Sequence, residues 1–301
     1  MNKRSALPEA APAPLVFRAR LCCIVLFFIC ALLPGCGGRE DEEDVVNYIS
    51  DLSKEDFLQR MAAAKELSNR ATGNDVVAVP YLVMSLQDSK ELIGRYSAQA
   101  LGTIRDYSSI PALITGSQEG SDYVRYDCVV ALGRFNDPRV HGPLLNALQD
   151  ESFYVRWAAA EALGNLKVPA AYAKLIAGLN DESSYVRSAS ATALGKLGDK
   201  GAVPYLRNSI YNPNLWVRND AALALARLGD TEGIPVLIVN LSSAARDKKG
   251  VVREQAVQFL REITGKNFGF DPSDPLEVRK AAIKRWEQWW DEQQKKGVSG
   301  R

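Results

Sequence analysis

Val-Arg is followed seven residues later by leucine, and this pattern returns every 31 residues: Arg125, Arg156, Arg187 and Arg218, with Leu132, Leu163, Leu194 and Leu225 keeping step. The leucine column runs back to Leu101 and Leu67 and forward to Leu260, and Arg60 and Arg253 stand in register at the two ends. The second unit departs, since Gly94 occupies the arginine column and Arg95 is displaced by one. A period of this length marks a stack of supersecondary units. One unit alone is too small to bury its apolar faces, so neighbouring units must supply the core.

Within a unit the spacing predicts two helices. The first is expected to open at Ser121, Ser152, Ser183 or Asn214, whose side chains suit an N-cap. Small residues then line one face, Ala159, Ala160 and Ala162 in one unit and Ser190, Ala191 and Ala193 in the next, as close helix packing requires. Gly133, Gly164 and Gly195 follow the leucine and are expected to serve a positive φ at the helix end. The second helix is expected near Pro111, Pro204 and Pro235, because a missing N–H costs nothing in the first turn. Leu144, Leu145 and Leu148, then Leu175, Ile176 and Leu179, give its apolar spacing. Asp150 and Asp181 close their units six residues before the next arginine, which predicts Asp150–Arg156 and Asp181–Arg187 contacts between helix ends.

This pattern resembles the HEAT-like repeats shared by phycobilin lyase subunits and many bacterial scaffold proteins, over about residues 55 to 294. The resemblance implies an all-α fold, an α-solenoid superhelix of about seven HEAT-type helical pairs. Phe57, Leu58 and Met61 begin an irregular first unit. The period breaks at Ile263–Pro272, which is similar to the terminal segment of many bacterial HEAT-repeat proteins. A last helix places Trp286, Trp289 and Trp290 on one face, where they are expected to close the end of the core. The solenoid is assigned to 55–264 and a capping segment and tail to 265–301.

Residues 1–35 read as a signal peptide. Lys3, Arg4, Arg18 and Arg20 precede an uncharged run from Leu21 to Leu33, too short for the ~20 residues of a transmembrane helix. The run ends in Leu33-Pro34-Gly35-Cys36, which resembles the lipobox of bacterial lipoproteins. The resemblance implies cleavage before Cys36, a lipid on Cys36 and attachment to a membrane through it. Gly37 in place of Asp implies delivery to the outer membrane, facing the periplasm. Residues 36–54 are expected to be the lipidated cysteine and a flexible acidic tether, with glycines 37 and 38 followed by self-repelling acids.

Chemistry is sparsely signalled. Lys and Arg total 37 against 36 Asp and Glu, and removing the leader's four bases and Glu9 leaves a small acidic excess, so no electrostatic case for nucleic acid arises. His141 is the single histidine, in a column otherwise filled by Ile110, Tyr172, Val203 and Ile234, so packing is expected of it. With no second histidine, and with Cys22, Cys23 and Cys30 inside the leader so that only Cys36 and Cys128 remain, far apart in sequence, no zinc site is expected. Cys128 shares its column with Ser97, Ala159, Ser190 and Ala221, which predicts an inert packed thiol. Neither GxGxxG, a P-loop nor GxSxG occurs, and a ladder of Arg and Asp repeated in every unit is structural, not catalytic. No cofactor and no catalytic residue are expected.

What remains is surface. On the second helices the face opposite the core carries Asn146, Lys174, Tyr205 and Asn208, which are expected to line a concave groove. On the first helices Tyr123, Tyr126, Tyr154 and Trp157 fall away from the alanines, where Tyr126 and Trp157 either anchor a partner or stack between repeats. The expected function is a lipid-anchored cell-envelope scaffold that binds a protein or peptide partner. A modifying enzyme of phycobilin-lyase-like type and an envelope spacer without a dedicated ligand are the competing readings.

Overall fold

The computed structural model describes residues 40–70, 72, 74–242 and 250–298. The expected signal peptide and the expected lipid site at Cys36 lie outside the described residues. Two units meet between Asn47 and Tyr48. The described part of the first is the opening of helix α1, Glu40–Leu52. That helix covers most of the stretch read from sequence as a tether, and its Ile49 and Leu52 are buried.

In the second unit every described regular element is helical. First helices are α2 (Phe57–Arg70), α4 (Glu91–Ile104), α6 (Asp122–Leu132), α8 (Phe153–Asn165), α10 (Ser184–Leu197), α12 (Leu215–Arg227) and α14 (Val251–Thr264). Second helices are α3 (Val79–Ser85), α5 (Ile110–Glu119), α7 (His141–Ala147), α9 (Tyr172–Gly178), α11 (Val203–Ser209), α13 (Gly233–Leu241) and the long α15 (Leu276–Val298). Each first helix packs on the first helix of the next repeat, from α2 through α14, and forms one layer. The second helices form the other, α3 to α13 each lying against the first helix that follows it. The leucine column is the spine of the core: Leu67, Leu101, Leu132, Leu163, Leu194, Leu225 and Leu260 are all buried.

The glycine column does something other than end helices. Gly133 has φ −63° and Gly164 and Gly195 sit inside α8 and α10. A Cβ on Gly133 would stand 2.7 Å from Ala162 Cβ, on Gly164 2.7 Å from Ala193 Cα, and on Gly195 2.8 Å from Ala224 Cα. These glycines are where adjacent first helices touch, each against the alanine 29 residues on, and Gly102 repeats the contact with Ala131. The positive φ comes three residues later, at Lys167, Gly198 and Gly229, with Arg105 in the same column.

The serine caps also differ from expectation. Ser121, Ser152 and Ser183 make no side-chain cap, whereas Asn214 accepts from the amides of Trp216 and Val217. In two units the aspartate takes the work: Asp150 accepts from the Ser152 amide and Asp181 from the Ser183 amide, both at 2.8 Å. The carboxylate satisfies the serine's own amide, and not the first-turn amides that a serine hydroxyl would cap.

The same aspartates complete an arginine ladder whose register differs from the sequence reading. Arg156 donates from Nη1 to the carbonyls of Asp150 and Glu151, and from Nε and Nη2 to the carboxylate of Asp181, one repeat on. Arg125 pairs likewise with Asp150, and Arg60 with Asp88. Thus Asp150 meets Arg156 through its main chain and Arg125 through its side chain. Burial raises the pKa of Asp181, but the Arg156 fork, the Ser183 amide and the neighbouring positive charge outweigh it and leave the carboxyl below its ordinary value. The pair is nearly enclosed, with side chains 10% and 14% exposed. Asp181→Asn is expected to cost about 2–3 kcal/mol in urea denaturation, since it leaves a guanidinium edge facing an amide. A loss under ~0.5 kcal/mol would show that the rung is ornamental.

The displaced second unit is accommodated by a different bond. Arg95 Nε donates to Asp127 at 2.8 Å and its guanidinium lies 4.9 Å from the Tyr123 ring, while a Cβ at Gly94 would come within 2.9 Å of the Leu86 carbonyl. At the far end Trp286 is fully buried and meets Phe268 edge-on at 4.7 Å, with Phe270 buried beside it in the chain. Trp286 therefore closes the core as expected; Trp289 and Trp290 are half-buried.

Candidate functional surface

The second helices α3 to α13 are short, seven to ten residues each, so each offers one solvent-facing strip. On α11 Leu206 is buried, as is Ile210 at its C-cap, and Tyr205 and Asn208 are exposed, as helical spacing requires. Asn146 on α7 is exposed too. Lys174 on α9 is not free in the same way: its Nζ donates to the Leu145 carbonyl and to Gln149, both at 2.9 Å, and so ties its repeat to the preceding one.

The first-helix aromatics stack on one another. Tyr126 and Trp157 are parallel with centroids 6.0 Å apart, Tyr123 and Tyr154 are 5.8 Å apart, and Phe153 reaches Tyr185 at 6.0 Å. Tyr126 and Trp157 are half-buried by this contact. The exposed rings are instead Tyr123, Tyr154, Tyr185 and Trp216, one column spaced by 31 that stands two residues before each ladder arginine. The spacing already placed Tyr123 and Tyr154 on this side; Tyr185 and Trp216 continue the column at the same interval of 31 and were not singled out.

Cys128 is buried and its thiol is pushed up to about 12, chiefly by burial. A Cβ at Gly116 would lie 2.7 Å from its sulfur, so the small-residue column exists to admit the second helix. His141, the first residue of α7, is half-buried. Among the described residues no group of three or more His, Cys, Asp and Glu is placed to hold a metal ion, and no helix is long and apolar enough to cross a membrane.

A buried polar chain crosses the later repeats and was not foreseen. Asn240 on α13 donates to Asn219 at 2.7 Å, and Asn219 donates to the Val252 carbonyl and to Gln255. Gln255 then donates to Asp220 at 2.9 Å, and Ser188 donates to the other oxygen of Asp220. Burial raises the Asp220 carboxyl to about 6. Its signal is Asn219-Asp220 at positions held by Ser188-Ala189, Trp157-Ala158 and Tyr126-Asp127 in the three preceding units.

A family profile for HEAT repeats matches residues 110–182 and 172–261, half of the chain. The chain belongs to the HEAT-repeat family. Among solved structures, the array is similar to the complex of CpcE and CpcF of phycocyanin lyase from Nostoc sp. PCC7120, at 20% identity and TM-score 0.51, over 84% of this chain and 98% of that one. It is equally similar to YibA of E. coli, at 19% identity and TM-score 0.53, over 85% of this chain and 99% of that one. At these identities the likeness shows the fold alone. No curated protein matches the chain. A HEAT array is an architecture suited to binding proteins, because stacked short helices present a long continuous surface.

Proposed function

We propose that this HEAT array is a lipid-anchored scaffold of the bacterial cell envelope. In this reading it is held by a lipid on Cys36, at the outer membrane facing the periplasm, and takes a protein or peptide partner along its second helices without catalysis. The observation that carries the binding surface is the exposure of Tyr205 and Asn208 opposite the buried Leu206 and Ile210. A ring beside an amide offers apolar area and directional hydrogen bonds, a combination frequent at recognition surfaces.

The partner is sought by crosslinking the anchored protein in its own envelope. Tyr205→Ala with Asn208→Ala is expected to abolish the crosslinked species and leave the melting temperature unchanged. Tyr126→Ala with Trp157→Ala is expected to lower stability, because those rings stack on each other. Loss of the crosslink in a folded second variant alone would move the binding surface to the first helices. Fatty-acid labelling is expected to mark the wild type and not Cys36→Ala; label in that variant would sink the anchor.

A further inference from the structure

Arg187 and Arg218 lack the carboxylate that completes Arg60, Arg125 and Arg156. Arg187 keeps its Nη1 bonds to the carbonyls of Asp181 and Glu182, at 2.6 and 3.0 Å. The position that should supply its carboxylate is Asn212, whose side-chain oxygen is taken by the Asn214 amide at 3.0 Å. Its Nε is buried without a partner. Asparagine preserves the turn but presents a donor where the fork needs an acceptor. Arg218 likewise keeps its Nη1 bond to the Asn212 carbonyl at 2.8 Å. From its outer edge, Nη2 reaches Asn240 Oδ1 at a long 3.4 Å, and among the described residues Nε makes no hydrogen bond and no carboxylate faces it. Where Asp150 raises the pKa of Arg125, burial alone lowers that of Arg218.

Arg218 opens on a depression of about 360 Å³ between α11 and α13. Its apolar wall is Ile210, Tyr211, Pro235, Val236 and Val239. Tyr211 is 78% and Val239 65% exposed, among the most exposed large apolar side chains of the described residues. A second depression, of about 490 Å³, adjoins it through Ile210, Tyr211, Pro235 and Val236 and reaches Trp290. Its one carboxylate, Glu232, is held by Arg207 at 3.1 Å. The site thus pairs one unmatched bidentate cation with exposed apolar area.

We propose that the Arg218 depression is a specificity pocket for an acidic peptide, in which an Asp or Glu side chain of the partner takes the outer fork of Arg218 and an adjacent apolar side chain lies on Tyr211 and Val239. The partner's carboxylate supplies in trans the acceptor that Asp150 and Asp181 supply in cis to Arg125 and Arg156. This inference rests on the reading of the second-helix surface as the binding face and adds the chemistry of what binds there. Bidentate guanidinium–carboxylate pairing selects a planar acid over its isosteric amide, because the amide turns a donor toward a donor.

The test uses the full chain in detergent and two bead libraries of acetylated, amidated heptapeptides. Both are randomised at the outer positions; one has glutamate fixed at the centre and the other glutamine. Capture of the glutamate library is expected to exceed that of the glutamine library at least about tenfold, and selected sequences to carry an apolar residue beside the acid. Val239→Asp, at an exposed site that leaves the fold alone, is expected to remove the preference by answering Arg218 from within. Val76→Asp, an acid at an exposed site outside the depression, is expected to keep it, and Arg218→Met to remove it if the variant melts as the wild type does. Equal capture of the two libraries, or a preference that survives Val239→Asp, overturns the carboxylate pocket and leaves the peptide-binding face standing. Capture of neither library overturns both.

Discussion

Leu163→Ala is expected to destabilise the protein by ~2–5 kcal/mol, the usual range for emptying a packed leucine site. The upper half of that range applies here. Leu163 is fully buried, and its neighbour Gly164 already brings α8 to its closest approach with α10 at Ala193. Helices in glycine–alanine contact have no slack with which to collapse into the vacated volume, so the cavity persists. Leu194, 1% exposed and followed by Gly195 against Ala224, stands in the same surroundings one repeat on. Leu194→Ala is therefore expected to cost the same within about 1 kcal/mol. Urea denaturation of the two variants checks both statements. A cost under ~0.5 kcal/mol at either position would mean that the leucine column is not the spine of the core.

The repeat made the fold readable because periodicity is additive information. One Val-Arg…Leu match says little, but four at an interval of 31 leave the helices few other places to lie. Second-helix orientation was readable for the same reason, and Tyr205 and Asn208 are exposed where the spacing puts them. Lys174 was not readable, since a lysine's reach lets it turn back to the preceding repeat and spend its charge on a carbonyl and an amide. Sequence columns also conceal which partner a residue chooses. Asp150 is six residues before Arg156 and twenty-five after Arg125, and only the stacking geometry decides that its carboxylate goes to Arg125. The glycine column misled because glycine serves two ends, positive φ and close approach, and composition cannot separate them; Lys167 takes a φ of 50° three residues past Gly164. The unmatched arginines became visible only once the matched rungs defined what each should have. A single Asp-to-Asn change at 212 is unremarkable until Arg187 is found waiting for it.

Asp220 gives the array a pH dependence opposite in sign to that of its ladder. Burial raises this carboxyl to about 6, and although hydrogen bonds from Ser188 and Gln255 and the charge of Arg227 lower it, burial prevails. An unfolded chain would titrate the same group near its ordinary value of 3.8. Between those values the native state binds a proton that the unfolded state does not, so stability is full below the unfolded value and is lost as pH rises through about 6. From pH 7.5 down to pH 5.0 the protein is expected to gain roughly 1–2 kcal/mol from this group. Asp181, whose carboxyl is lowered, works the other way, losing its contribution only as the pH falls below the ordinary carboxylate range. The two windows therefore do not overlap above about pH 5. Asp220→Asn isolates the term. The amide oxygen can still accept from Gln255, and the amide nitrogen can donate to the Ser188 hydroxyl, so the polar chain is kept while the buried charge is removed. At pH 7.5 this variant is expected to be more stable than the wild type by roughly 2–3 kcal/mol, the free energy of the displaced titration. The wild-type gain at pH 5.0 is expected to disappear from it. Urea denaturation at the two pH values decides the matter. A wild-type stability that does not change between them, or a variant less stable than wild type at both, would show that Asp220 is ionised in the native state at no cost and that its neighbours, not burial, govern it.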